Sequence, residues 1–187
     1  MAEDQELVRQ VLAGQTQAFE ALILKYQQPL FNYLGRMVGE RESALDLTQE
    51  VFLKAFAALH TYNPNYNFRT WIFRIASHLL IDQWRKKKIP QTSLEPSGDE
   101  EGASNFDPVD SRALSVTARF EMEELIRRVE KALQKIPVRL RELFLWRHVN
   151  GLSYAEIAEI SGLPLGTVKN RVFQAKERIR AFLEEKP

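Results

Sequence analysis

The sequence predicts an all-α protein made of two small helical domains joined by a flexible acidic linker. Three observations support this fold class. Apolar residues recur at steps of three and four over most of the chain, which is the spacing of amphipathic helices. The spacing fails between about residues 89 and 117, where Pro, Ser, Gly and acidic residues are abundant. The length, 187 residues, suits one ordinary domain or two small ones, and the interruption favours two.

The first predicted domain covers residues 1–88 and contains four helices. Apolar spacing identifies them at Leu7 to Leu12, Phe19 to Met37, Arg41 to Leu59, and Phe68 to Lys88. The polar stretch "HTYNPNYN" before the fourth helix is a loop. In the third helix the spacing predicts an inward face that consists of Leu45, Thr48, Val51, Phe52, Ala55 and Leu59.

The predicted linker covers residues 89–117. Six acidic residues oppose one basic residue, Arg112, which gives the segment a net charge of −5. A solvated tether is the simplest interpretation, because like charges extend a linker by repulsion.

The second predicted domain, residues 118–187, ends in a helix-turn-helix. Two helices are expected at about 119–136 and 138–149. Ser153 precedes Glu156 by three residues, a capping box that begins a short helix, and Gly162 supplies the left-handed turn that ends it. A last helix then opens near Pro164 or Leu165. Its buried face is predicted to consist of Val168, Val172, Ala175 and Ile179.

The outward face of the last helix has the composition of a DNA-reading surface. Between Leu165 and Arg180 there are five basic residues and one acidic residue. A recognition helix needs cations for phosphates and shorter polar groups for base edges, and Asn170 and Gln174 suit the second task. DNA binding is therefore favoured over a solvated helical hairpin.

The fourth helix is a second basic element. Its stretch "FRTWIFRIASHLLIDQWRKKK" carries six cations and one acid, Asp82, with aromatic residues between them. Such a mixture can stack on unpaired bases while the cations follow the phosphates. Most of these apolar residues are expected in the core, whereas for Trp71 stacking on DNA and core packing stay equally open. On the third helix Glu42, Asp46 and Glu50 form an acidic face, which suits a basic partner or simple solvation.

Composition excludes several other classes of protein. The absence of cysteine excludes a disulfide framework and a thiolate metal site. The net charge of only +1 means that any basic character is local. Neither a signal peptide nor an apolar run long enough to span a membrane is present, so a cytoplasmic protein without membrane insertion is expected. No glycine-rich phosphate loop occurs, and no histidine follows a glutamate by three residues. We expect no enzyme activity, no cofactor and no metal.

The chain resembles the extracytoplasmic-function (ECF) group of bacterial sigma factors along nearly its full length. "DLTQEVFLKAFAAL" and the fourth-helix stretch are similar to the second conserved region of that group. "GLSYAEIAEISGLPLGTVKNRVFQAKERIR" is similar to the fourth region. The resemblance implies a dissociable RNA polymerase subunit. Its first domain would grip the polymerase clamp and open the minus-ten promoter element, and its second would read the minus-thirty-five element.

The resemblance also implies a set of contact residues. The polymerase-binding residues would be Asp46, Gln49, Glu50 and Phe52. The minus-ten element would be handled by the loop Thr61 to Asn67 and by Tyr62, Asn63, Arg69, Thr70, Trp71, Arg74, His78 and Arg85. The minus-thirty-five element would be read by Thr167, Lys169, Asn170, Arg171, Phe173, Gln174, Lys176 and Arg178. His78 and Gln174 depart from the residues that many members carry, which leaves the promoter sequence open.

Partners follow from the same resemblance. Core RNA polymerase and promoter DNA are expected, together with an anti-sigma factor, and the free protein is expected to be a monomer. The alternative is an autonomous helix-turn-helix regulator, which would dimerise to read two half-sites.

Overall fold

The computed structural model describes residues 2–88 and 116–184, and all regular secondary structure in these two ranges is helical. The predicted all-α class is therefore confirmed. Of the predicted linker, residues 89–115 lie outside the described residues. The first range contains α1 (Ala2–Leu12), α2 (Ala18–Val38), α3 (Arg41–Ala58) and α4 (Phe68–Lys88), with a short 3₁₀ turn at Leu59–Thr61. The second contains α5 (Val116–Lys135), α6 (Val138–Phe144), α7 (Tyr154–Ser161) and α8 (Leu165–Glu184).

The expected helix at 138–149 changes its winding part-way. The α-helical bonds of α6 end at Phe144, and Leu145–Val149 form a π turn whose closing bond runs from Asn150 N to Leu145 O. Such wide turns insert one extra residue into a helix and re-aim the side chains that follow. Here Trp146 is fully buried within the turn.

The described residues form two units by their contacts. One contains the residues up to Phe31 and those from Glu42 through α4, and the other contains Asn32–Arg41 with α5 and everything after it. The core of the first unit includes fully buried aromatic and aliphatic side chains: Leu22, Leu30, Val51, Phe68, Ile72 and Phe73. The packing of these residues holds α3 and α4 in place, so that the outer faces of both helices are presented to solvent.

The inward face of α3 differs from the predicted one at its first turn. Leu45 is 44% exposed, so its predicted inward position is wrong. Ala44 and Leu47 are buried there instead, along with Thr48. Ala44, Thr48, Val51 and Ala55 follow steps of four, three and four, and Leu45 lies one residue away from that stripe.

In the second unit a buried arginine caps the end of α2. The guanidinium of Arg141 donates to the backbone carbonyl of Met37 at 3.1 Å and to Oε1 of Gln134 at 2.6 Å. Tyr33 Oη donates to the buried carboxylate of Glu142 at 3.1 Å. Because a buried charge is costly without hydrogen bonds, these contacts hold the segment Asn32–Arg41 within the unit, although Nε of Arg141 has no partner among the described residues.

The helix-turn-helix at α7 and α8 forms as the sequence predicts. Glu156 N donates to Ser153 Oγ at 3.2 Å, and Ser153 N donates to the Glu156 carboxylate at 2.8 Å, which completes the capping box. Gly162 has φ +66° and ends α7 in the left-handed conformation. The four predicted inward residues of α8 are all buried.

Alanine at the turn glycine is expected to destabilise the second unit. Gly162→Ala would place a Cβ on a left-handed backbone, so we expect the free energy of unfolding to fall by about 1 kcal/mol. Gly166→Ala is the matched control, because Gly166 is helical with open space around it, and this change adds up to about 1 kcal/mol of stability. Urea denaturation followed by circular dichroism measures both. Equal effects of the two changes would contradict the role of the turn.

Candidate nucleic-acid interface

The exposed face of α8 presents cations that have no acidic partner. Its buried stripe turns toward α6 and α5, which leaves the predicted reading residues on the opposite side. Lys169, Lys176 and Arg178 are exposed and Arg171 is half-buried, and none of these four forms an ion pair with any described residue. Arg180 differs, because its Nε donates to Glu184 at 2.8 Å. Unpaired cations on one helix face are available to phosphates.

The shorter side chains on this face are already arranged beside one another. Gln174 Nε2 lies 3.4 Å from Asn170 Oδ1, one turn away. Phe173, which is 61% exposed, lies between them in sequence and adds an apolar group to the polar face. Burial, with added repulsion from Arg147 and Lys176, lowers the pKa of His148, so this imidazole adds little charge to the surface at neutral pH.

The first unit carries the second candidate surface, which consists of the loop Thr61–Asn67 and the exposed face of α4. Asn63 is exposed and its Oδ1 accepts from Asn65 N at 2.9 Å. Asn67 Oδ1 accepts from Arg69 N at 3.0 Å, which caps the start of α4. Arg74, His78 and Arg85 are exposed further along α4, although Arg85 is paired with Asp82.

Aromatic rings connect this loop to α4. The ring of Tyr62 lies 5.5 Å from that of Phe68 and 5.4 Å from that of Trp71, with edge-to-face geometry in both pairs. Phe68 is fully buried and Trp71 is half-buried. Trp71 therefore packs on its inner side and presents the remainder to solvent, and its stacking on DNA stays a prediction.

Three of the predicted contact residues are buried. Tyr62 and Thr70 are 7% and 3% exposed, and Phe52 is 7% exposed with its ring against Phe19. These side chains lie under the candidate surfaces and support them. Their burial depends on packing between helices that are distant in sequence, so the motif positions alone did not reveal it.

The outer face of α3 combines acidic and apolar residues. Asp46, Gln49 and Glu50 are exposed, and Glu50 Oε1 forms an ion pair with Lys54 Nζ at 3.5 Å. The same face exposes large apolar side chains that the sequence analysis did not select: Leu45, Leu53 and Phe56. Leu53 is 72% exposed, the largest exposed fraction of the three. Its spacing of four residues from Gln49 is the signal that could have identified it.

Two family models match the chain. The model of sigma-70 region 2 matches residues 22–89, and that of sigma-70 region 4 matches residues 126–179. Among relatives, the sigma-H factor of Pseudomonas aeruginosa is 33% identical over 97% of this chain and 94% of its own length. The chain belongs to the sigma-70 family. ECF sigma factors are similar over comparable lengths: SigW of Bacillus subtilis, at 30% identity over 95% of each chain, and sigma-E of Escherichia coli K12, at 34% identity over 94% of this chain and 92% of its own.

This protein is therefore an alternative sigma factor of the ECF group, which directs transcription initiation. The alternative of an autonomous dimeric regulator is not favoured, because the relatives are sigma factors over nearly their whole length. The candidate surfaces of the sigma factor lie in the two matched regions, whereas α1 precedes the first of them.

Solved structures share the fold of this sigma factor. CnrH, solved with the cytosolic domain of CnrY, has a TM-score of 0.71 at 23% identity and covers 99% of both chains. RpoE of Bartonella quintana, solved with the anti-sigma factor NepR, has a TM-score of 0.68 at 22% identity and covers 90% of this chain and 98% of its own.

Across residues 2–88 and 116–184, no helix has both the length and the apolar character that crossing a membrane requires.

Proposed function

We propose that this sigma factor binds core RNA polymerase through the outer face of α3 and reads promoter DNA through two separate surfaces. The loop Thr61–Asn67 with α4 would engage the minus-ten element, and α8 would read the minus-thirty-five element. The observation that carries the proposal is the cationic face of α8, where Lys169, Lys176 and Arg178 pair with no acid among the described residues. This face is set on a capped helix-turn-helix, and α4 supplies a second cationic and aromatic surface.

The functional division we propose is residues 1–88 for polymerase binding and the minus-ten element, 89–117 as the linker, and 118–187 for the minus-thirty-five element. Within the first part, Asp46, Gln49 and Glu50 would contact a basic surface of the polymerase. Phe52 would hold α3 in place through its ring contact with Phe19, at 6.4 Å between centroids. Exposed Leu53 would add apolar area to the same interface, since interface centres favour apolar groups.

For the minus-ten element we assign DNA contact to the exposed residues and a supporting role to the buried ones. Asn63, Trp71, Arg74, His78 and Arg85 would contact the DNA, with Arg69 at the edge, because they are exposed or half-exposed. A half-exposed indole next to cations suits stacking on an unpaired base. Tyr62 and Thr70 are buried, so they would support the loop and the first turn of α4 from the protein interior.

On α8 we assign two roles. Asn170, Arg171 and Gln174 would contact base edges in the major groove, with Thr167 and Phe173 beside them. Lys169, Lys176 and Arg178 would contact phosphates, where their charge matters more than their shape.

The free sigma factor is proposed to be a cytoplasmic monomer that an anti-sigma factor regulates. Polymerase supplies the second binding partner that a repressor obtains by dimerising, so no self-association is needed. The solved structures of CnrH and of RpoE each contain a protein partner, and the partner of RpoE is an anti-sigma factor.

Reconstitution with core polymerase tests the proposal. Purified protein should co-elute with bacterial core enzyme and produce transcripts from a subset of a randomised promoter library, whereas core enzyme alone should not. Sedimentation should give a monomer for the free chain. Tight DNA binding by a dimer in the absence of polymerase, with no co-elution, would contradict the proposal.

A further inference from the structure

Helix α1 is fastened to α2 by a buried carboxylate. Asp4 is 3% exposed, accepts from Tyr26 Oη at 2.7 Å, and accepts from Lys25 Nζ at 2.6 Å. Burial, reinforced by the hydrogen bond to Asp4, raises the pKa of Tyr26, so the phenol stays protonated as the donor. A buried carboxylate is costly without such partners, so the contact fixes the position of α1 more tightly than apolar packing alone.

The loop Thr61–Asn67 is closed by its own hydrogen bonds. Tyr62 Oη donates to the backbone carbonyl of Tyr66 at 2.6 Å, and the Tyr62 ring packs on Phe68 at the start of α4. Phe68 in turn contacts Tyr26, at 5.5 Å between ring centroids. Tyr26 therefore takes part in both sets of contacts: its ring packs on Phe68 beneath the loop, and its hydroxyl binds Asp4 of α1.

The outer part of the loop is held from α1. Gln5, the residue after Asp4, donates from Nε2 to the backbone carbonyl of Pro64, although the two residues are 59 positions apart. Beside this bond α1 faces Tyr62 and Pro64 across a cavity of about 430 Å³. The bond thus connects the two sides of this cavity.

From these contacts we infer that α1 positions the loop Thr61–Asn67, which we propose engages the minus-ten element. Asp4 and Gln5 are the positioning residues. Asp4 fixes the helix on α2, and Gln5 fixes the carbonyl next to Asn63, which sets the direction of the exposed loop side chains. This inference rests on the proposed function of the loop. Neither residue would contact DNA or polymerase itself, and both lie before the segment that the region 2 model matches.

The test uses full-length protein in holoenzyme with core polymerase and a promoter library randomised across the minus-ten element. Gln5→Ala should weaken the preference for the favoured minus-ten bases by about fivefold, the effect of losing one hydrogen bond, with unchanged affinity for core enzyme and unchanged preference at the minus-thirty-five element. Gln10→Ala is the matched control, because Gln10 donates to Glu6 within α1 at 3.0 Å and does not reach the loop. The control should keep the wild-type preference.

A second pair of variants tests the anchor. Asp4→Asn should change the minus-ten preference in the same direction as Gln5→Ala. Glu3→Gln, which removes an exposed charge 2.9 Å from the same Lys25, should not. Wild-type base preference in Gln5→Ala, or an equal loss of transcription on every promoter, overturns the inference while the proposed function stands. A wild-type holoenzyme without any minus-ten preference overturns the proposed function and the inference with it.

Discussion

Replacing Asp46 and Glu50 together by lysine is expected to weaken binding to core RNA polymerase by about tenfold or more, because two attractive contacts with a basic surface become repulsive. Both side chains are exposed on α3, and Asp46 forms no ion pair with any described residue. Fluorescence anisotropy with labelled protein and unlabelled core enzyme measures the dissociation constant. The loss should shrink at high salt, since exposed charges are screened.

The matched control for this variant reverses two acids elsewhere. Glu121 and Glu123 are exposed on α5, so their replacement by lysine makes the same change in net charge without touching α3. Neither variant should lose helicity, because exposed charges contribute little to folding. If both double variants bind core enzyme with equal affinity, the assignment of the α3 face is wrong.

The helix-turn-helix could be predicted almost completely because its signals are local. Ser153 and Glu156 are three residues apart, and Gly162 needs no distant partner to adopt its turn. The buried face of α8 follows helical steps that can be counted along the sequence. Each of these features is decided within a few residues, where sequence carries the physical information directly.

Features that depend on packing could not be predicted in the same way. On α3 both Leu45 and Leu47 are plausible core residues, and contact with neighbouring helices buries Leu47 and exposes Leu45. Tyr62 is part of a polar loop in the sequence, yet its ring is buried against Phe68. The hydrogen bond from Gln5 to the Pro64 carbonyl has no sequence signal at all, because helix packing alone brings the two together.

Substitutions on α8 are expected to separate base reading from phosphate binding. Arg171→Ala and Gln174→Ala should each reduce discrimination at one position of the minus-thirty-five element by about 1–3 kcal/mol, the effect of losing a bidentate base contact. Lys176→Ala and Arg178→Ala should weaken binding to all sequences about equally and flatten its salt dependence. The arginine pair is the matched comparison, since the two side chains are chemically identical and differ in position on the helix.

The measurement is binding of holoenzyme to a randomised upstream element at several salt concentrations. Gln174 and Asn170 lie 3.4 Å apart in the free protein, so a base edge must compete with their mutual contact. We therefore expect the effects of Gln174→Ala and Asn170→Ala to be non-additive in a double-mutant cycle. A uniform loss of binding in Arg171→Ala and Gln174→Ala, with unchanged base preference, would mean that a different face of α8 enters the groove. Phe173 and Lys169 would then be the residues to test for base contact, because both are exposed on the same turns of α8.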